Sequence, residues 1–235
     1  MSLAEMLVPA QQLAATNQVH YPNENAQYRA ARNALLVEEI ELRRHIERVA
    51  ALRRALPLGG EIPKDFELVS ETGRNHLSSL FGHKNTLMVY SMMYGPQRDS
   101  PCPMCTSFLS SWNGVAVNLR ERVAIAVTAR STIDRLIEYK RQRGFVNLPF
   151  LSDSSGEYTR TYVSADDGDV PGFSVFTRRE GVVRHFYSAE VNWAMADPGQ
   201  DPRGAPDLDP LWLMLDLTPE GRGTDWYPEL KYNHK

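Results

Sequence analysis

Tyr94-Gly95-Pro96-Gln97-Arg98-Asp99-Ser100-Pro101-Cys102-Pro103-Met104-Cys105 contains both cysteines of a 235-residue chain. Leu87 to Met92, just before it, reads as a buried strand, and Phe108, Leu109 and Trp112, just after it, recur at helical spacing. The Gly, Pro, Asp and Ser between them read as a loop, so the cysteines stand where a strand ends and a helix begins. Open α/β sheets carry their chemistry at that end of the strands. A helix N-terminus also offers unpaired N–H groups and the positive end of its dipole, which favour a thiolate at Cys102. Two intervening residues make about one helical turn and bring Cys105 within disulfide reach. Pro103 suits a first turn because its φ is already helical and it has no N–H to leave unpaired. The helix is therefore expected to begin at about Cys102, and Asn113-Gly114 to end or kink it. Arg98 is a cation that would favour the Cys102 thiolate if close to it, whereas Asp99 reads as a turn former.

Working outward, the text alternates between strand and helix. Strands are expected near Phe66 to Val69, Leu87 to Met92 and Val123 to Thr128, with a helix over Thr132 to Arg143. Further on, Phe145 to Leu151, Tyr158 to Val163, Phe173 to Thr177 and Val182 to Tyr187 are strand-like, and Arg179-Glu180-Gly181 reads as a hairpin turn. A mixed sheet, parallel with an antiparallel edge and flanked by helices, accommodates both halves. Asp197 to Pro210 reads as a loop and Leu211 to Leu217 as a short buried element. Residues 1 to about 24 read as a loosely attached arm. Asn25 to Leu56, rich in Ala, Leu, Glu and Arg without Gly or Pro, reads as one long helix. The domains expected are thus 1–60, an arm and long helix, and 61–235, the α/β domain. Tyr28, Leu35, Leu42, Val49 and Leu56 recur every seven residues. That line suits either a helix lying on its own domain or one pairing with a second copy as a homodimer.

Composition excludes several classes of function. Lys and Arg total 26 against 29 Asp and Glu, a net charge of −3, so no global basic field exists for nucleic acid or anionic lipid. Apolar runs such as Thr86 to Tyr94 fall well short of the roughly 20 residues that span a bilayer. The first residues, Met-Ser-Leu-Ala-Glu-Met-Leu-Val-Pro, lack a basic region followed by an apolar one, and a cytoplasmic location is expected. Two cysteines are no disulfide scaffold for a chain of this size. A zinc site needs a second close pair of ligands, and His76, His83 and His185 are scattered, so no metal or organic cofactor is expected. Burial of both cysteines as small packing groups is the plainer alternative to redox chemistry.

Leu80-Phe81-Gly82 before Thr86-Leu-Met-Val-Tyr90, Met93-Tyr94-Gly95-Pro96, Cys102-Pro-Met-Cys105, Glu138-Tyr-Lys140, Phe173-Ser-Val-Phe176 and Leu213-Met-Leu-Asp-Leu-Thr-Pro-Glu-Gly221 occur in this order. In these blocks the chain resembles the thioredoxin-like domain of unknown function 899 family, described as predicted dithiol-disulfide oxidoreductases. The resemblance implies a thioredoxin-like fold with an N-terminal helical extension, and Cys102 and Cys105 in the redox positions. Asn147-Leu-Pro-Phe-Leu-Ser-Asp153 resembles the segment after the third helix of peroxiredoxins, which implies a peroxiredoxin-like insertion. Pro96 and Ser100 keep the peroxiredoxin spacing, but Cys102 comes one residue early and Pro103 stands where the reactive cysteine is expected.

The leading functional expectation is a thiol-disulfide oxidoreductase with Cys102 as nucleophile and Cys105 as resolving thiol, acting on protein or small-molecule disulfides and thiols. The alternatives are a thiol-dependent peroxidase and a redox-responsive binding or scaffold protein. In thioredoxin-like proteins a cis proline opening a strand faces the cysteines. Val170-Pro171-Gly172 is expected in that place, with Pro103, Met104, Val170 and Pro171 forming the substrate-binding surface.

Overall fold

The structure is a computed structural model that describes residues 7–166, 168–190, 210, 217 and 226–231. The expected loop over Asp197 to Pro210 and buried element over Leu211 to Leu217 lie outside the described residues, apart from Pro210 and Leu217; Leu217 is exposed. The chain forms two compact units, Met1–Pro57 and Leu58–Lys235.

In the first unit the expected loose arm instead contains helix α1 (Ala10–Ala15), which packs on the long helix α2 (Ala26–Arg54). Ala10 and Ala14 are small enough to be buried in this contact, and Arg44 Nη2 of α2 donates to the Val8 carbonyl at 2.6 Å. Asn25 caps α2, its Oδ1 accepting from the Tyr28 N–H at 2.8 Å. No α2 residue is buried, and Tyr28, Leu35, Leu42 and Leu56 are exposed.

The second unit is built on a seven-stranded mixed sheet of order β2-β1-β5-β4-β3-β6-β7. Its strands are β1 (Glu67–Ser70), β2 (Gly73–His76), β3 (Thr86–Ser91), β4 (Ala124–Ala129), β5 (Phe150–Ser152), β6 (Gly172–Arg179) and β7 (Val182–Ser188). β3, β4 and β5 are parallel and step across the sheet in one direction. Right-handed crossovers then put α3 (Pro103–Arg120) and α4 (Ile133–Arg143) on the same face. Tyr90 and Met92 face Phe108, Leu109 and Trp112 of α3 and Leu136 and Tyr139 of α4 in one core cluster. Leu87 and Val89, pointing the other way, join Phe66, Leu77, Phe81, Tyr158 and Phe176 in a second. β6 runs antiparallel beside β3 and turns into β7 through Glu180-Gly181, both at positive φ as a two-residue hairpin requires.

The order β4-β3-β6-β7, with a helix leaving the end of β3, is the thioredoxin-like core, and β5 with α5 (Glu157–Tyr162) is inserted between α4 and β6. α5 corrects the strand expected over Tyr158 to Val163. Asp153 accepts from the Thr159 N–H at 2.7 Å and the Thr159 hydroxyl at 2.6 Å, and the turn puts Tyr158 and Tyr162 on one face against Phe66 and Phe176. Of the strand expected over Phe145 to Leu151, only Phe150 and Leu151 enter the sheet, in β5 with Ser152. α3 also runs through Asn113-Gly114 rather than ending there. Asn113 Oδ1 accepts from the Asn147 N–H at 3.0 Å and the Asn113 carbonyl accepts from Asn147 Nδ2 at 3.1 Å, so this residue ties down the loop after α4.

Leu109 is fully buried and seats α3 on the sheet, whereas Val117 of the same helix is exposed. Leu109→Ala should cost about 2–5 kcal/mol in urea unfolding, and Val117→Ala should stay within about 0.5 kcal/mol of the parent.

Candidate functional site

The sheet determines where the cysteines go. Ser91 pairs with Thr128 and with Gly172, and the Met92 N–H donates to the Thr128 carbonyl at 2.9 Å. The chain then leaves the sheet and returns, the Cys102 N–H donating to the Met93 carbonyl at 3.0 Å. Cys102 is the N-cap of α3 and Pro103 its first residue. Cys105, one turn on, points inward, and its sulfur accepts from the Met93 N–H at 3.5 Å. Both cysteines are free thiols, and Cys102 is 8% exposed.

Their chemistry diverges because they share a hydrogen bond. The Cys105 thiol donates to the Cys102 sulfur, which is the largest influence lowering the Cys102 pKa to about 6; burial opposes it, and the N–H groups of Cys105 and Met104 and the charge of Arg98 assist. Cys105 is raised well above the ordinary thiol value, first by that same bond and then by burial and the adjacent charge of Cys102. The Tyr90 hydroxyl works against this rise.

Polar contacts hold the helix start. Tyr139 Oη lies 2.7 Å from Thr106 Oγ1, which donates to the Cys102 carbonyl at 2.9 Å, so the tyrosine hydroxyl is the donor to Thr106. Burial raises the Tyr139 pKa and keeps it a neutral donor. In the loop before Cys102, Ser131 Oγ donates to the Tyr94 carbonyl and Arg135 Nη2 donates to the Arg98 carbonyl at 2.6 Å.

The profile of the family described as "Bacterial protein of unknown function (DUF899)" matches residues 17–234. The chain belongs to that family. No curated protein matches its sequence. Among solved structures, a hypothetical protein from Sinorhizobium meliloti 1021 is similar over 74% of this chain and 91% of its own, at 18% identity and a TM-score of 0.42. An uncharacterized conserved protein from Geobacillus kaustophilus is similar over 61% and 73%, at 13% identity and a TM-score of 0.41. A peroxiredoxin Q mutant from Xanthomonas campestris is similar over 52% and 78%, at 17% identity and a TM-score of 0.38.

In this DUF899 chain, Met104 and Val170 are apolar side chains left 38% and 43% exposed. The β3–β6 register, Ser91 with Gly172, sets Pro171 alongside Met92, one residue from the carbonyl that holds Cys102. Among the described residues, no group of three or more His, Cys, Asp or Glu is arranged to hold a metal ion. The sequence reading missed Tyr90, Thr106, Ser131, Arg135, Tyr139 and Asp169. Thr106, four residues after Cys102 and one turn into the helix, carried a signal, and Tyr139 sits within the Glu138-Tyr-Lys140 block. Asp169, ion-paired with Arg98 across 71 positions, carried none.

Alkylation of Cys102 should rise with pH to a plateau with a midpoint near 6, while Cys105 stays unlabelled until far more alkaline pH. At pH 7 such a thiol is about thirtyfold more ionised than a free cysteine near pKa 8.5. Cys105→Ala removes the donor thiol and should move the Cys102 midpoint upward. Mass spectrometry of the labelled peptides across pH checks both expectations.

Proposed function

We propose that the protein is a thiol-disulfide oxidoreductase in which Cys102 attacks and Cys105 resolves. The observation that carries this reading is the placement of the two thiols, Cys102 at the N-cap of α3 and Cys105 one turn on, buried, with its sulfur accepting from the Met93 N–H; the first is lowered toward thiolate and the second raised. The Cys102 thiolate attacks one sulfur of a substrate disulfide; a mixed disulfide forms, the substrate S–S bond breaks, and the released thiolate takes a proton from water. Once Cys102 is no longer anionic, its hydrogen bond and its charge no longer raise the Cys105 pKa, and only burial still does. Cys105 loses its proton and attacks the Cys102 sulfur, and the second substrate thiolate leaves. Two electrons have then passed from the cysteine pair to the substrate, and an external thiol restores the pair. No metal or organic cofactor enters these steps.

Pro103 and Met104 on one side, and Val170 and Pro171 on the other, form the surface we assign to the bound disulfide, with the exposed Met104 and Val170 as its apolar contacts. The reading sets the protein in the cytoplasm, where cellular thiols supply the reductant. Among the described residues, no helix is long and apolar enough to cross a membrane.

Cys105→Ser should accumulate mixed disulfides on Cys102, and Cys102→Ser should accumulate none. Equal trapping by both variants would contradict the assignment. Oxidation of Cys102 by hydrogen peroxide should be slow compared with exchange. If peroxide is the faster oxidant, the protein is a peroxidase in which Cys102 passes through a sulfenic acid that Cys105 condenses with.

We further propose a homodimer through the line Tyr28, Leu35, Leu42, Val49 and Leu56. A 29-residue helix with no buried residue derives little stability from propensity alone and gains it by covering an apolar face. Sedimentation of the intact chain should give a dimer, and the double variant Leu35→Glu with Leu42→Glu a monomer. An intact chain that sediments as a monomer would contradict this.

A further inference from the structure

Cys102 is almost covered, yet thiolate attack needs an open line to the sulfur being attacked. In the loop that leads to it, an ion pair joins two segments distant in sequence: Arg98, four residues before Cys102, and Asp169, just ahead of β6. The loop provides a seat for this carboxylate. A Cβ on Gly95 would lie 3.1 Å from both Cγ and Oδ1 of Asp169, so the acid occupies space that any other residue at 95 would fill.

The backbone bearing Arg98 is held without help from Asp169. Its N–H donates to the Gly95 carbonyl at 3.1 Å, and its carbonyl accepts from Arg135 Nη2 at 2.6 Å. The Arg135 guanidinium lies 4.4 Å from the centre of the Tyr94 ring, and the Tyr94 carbonyl is held by Ser131. A guanidinium is thus presented from the fixed loop whose Met93 carbonyl also holds the Cys102 N–H, its charge favours the Cys102 thiolate, and a carboxylate from another segment pairs with it. The two side chains are 35% and 24% exposed, so water reaches the pair and it is weakly held. Another carboxylate can exchange with it, because a guanidinium takes any carboxylate in the same planar fork.

We propose that Asp169 is an internal stand-in for a carboxylate of the substrate, and that Arg98 is the specificity-determining residue by which the site selects small thiol-reactive molecules carrying a carboxylate close to the reacting atom. The proposal deepens the oxidoreductase reading and rests on Cys102 being the attacking sulfur. The incoming carboxylate takes the Arg98 fork, Asp169 passes to water, and only one ion pair is exchanged for another. Thiol exchange at Cys102 then follows as already described.

The test uses two alkylating probes of nearly equal size, iodoacetate and iodoacetamide, on the reduced full-length chain, with labelling of the Cys102 peptide followed by mass spectrometry. Both probes react with the same thiolate, so the ratio of their rates cancels any change in Cys102 ionisation and isolates recognition of the carboxylate. Arg98→Gln should lower the iodoacetate-to-iodoacetamide ratio by about threefold to tenfold, the size expected for one nearby charge partly screened by water. Arg98→Lys should restore part of it, and Asp169→Asn, which frees the guanidinium, should raise the ratio above that of the parent. A ratio unmoved by Arg98→Gln, or lowered by Asp169→Asn, overturns the proposal while Cys102 remains reactive. A Cys102 that labels no faster than Cys105 at pH 7 overturns the proposal together with the oxidoreductase reading, so the two failures are told apart.

Discussion

The pairing of Cys102 at the N-cap of α3 with Cys105 one turn inside it gives two chemically identical side chains opposite tendencies, the hydrogen bond between them lowering the Cys102 pKa and raising that of Cys105. Its geometry tolerates little slack, because it requires one helical turn between the residues, an outer sulfur at the N-cap and an inner sulfur packed in the core. Burial opposes ionisation at both positions, so without the bond and the N–H groups of the first turn Cys102 would move toward an inert buried thiol.

Much of the second unit serves to keep that turn in place. Three strands of the sheet meet at the end of β3, where Ser91 pairs with Thr128 on one side and Gly172 on the other. Leu109 and Trp112 lock α3 onto the sheet, and the Tyr139 hydroxyl reaches the Cys102 carbonyl through Thr106. These contacts come from α3 and α4, which right-handed crossovers set side by side on one face. The inserted α5 packs Tyr158 and Tyr162 into the other face with Phe66, Phe176 and Leu151 of β5, while Phe150 of β5 joins the cluster of α3 and α4 beside Tyr139 and Phe145.

Local signals in the sequence were enough for the parts that local physics decides. Pro103 marked the first turn of α3, the apolar run before Tyr94 marked β3, and Glu180-Gly181 marked the hairpin between β6 and β7. Where a distant partner decides, the text misleads. Tyr158-Thr-Arg-Thr-Tyr-Val163 has the composition of a strand, but Asp153 and the aromatic wall of Phe66 and Phe176 hold it as a helix. Gly73-Arg-Asn-His76 is too polar to announce a strand and becomes one only by pairing with β1. Asn113-Gly114 looks like a helix end, but Asn147 recruits the asparagine. At the site, the two cysteines stood out, whereas the Arg98–Asp169 pair depends on tertiary folding that joins residues 71 positions apart.

An equilibrium titration of the reduced chain against thiol buffers of defined potential tests the central claim most directly, with the Cys102–Cys105 disulfide followed by mass. A resolving pair predicts one reversible two-electron transition, in which about 30 mV changes the ratio of disulfide to dithiol tenfold. Two cysteines that take up buffer thiol independently, without forming the disulfide between them, would contradict the account.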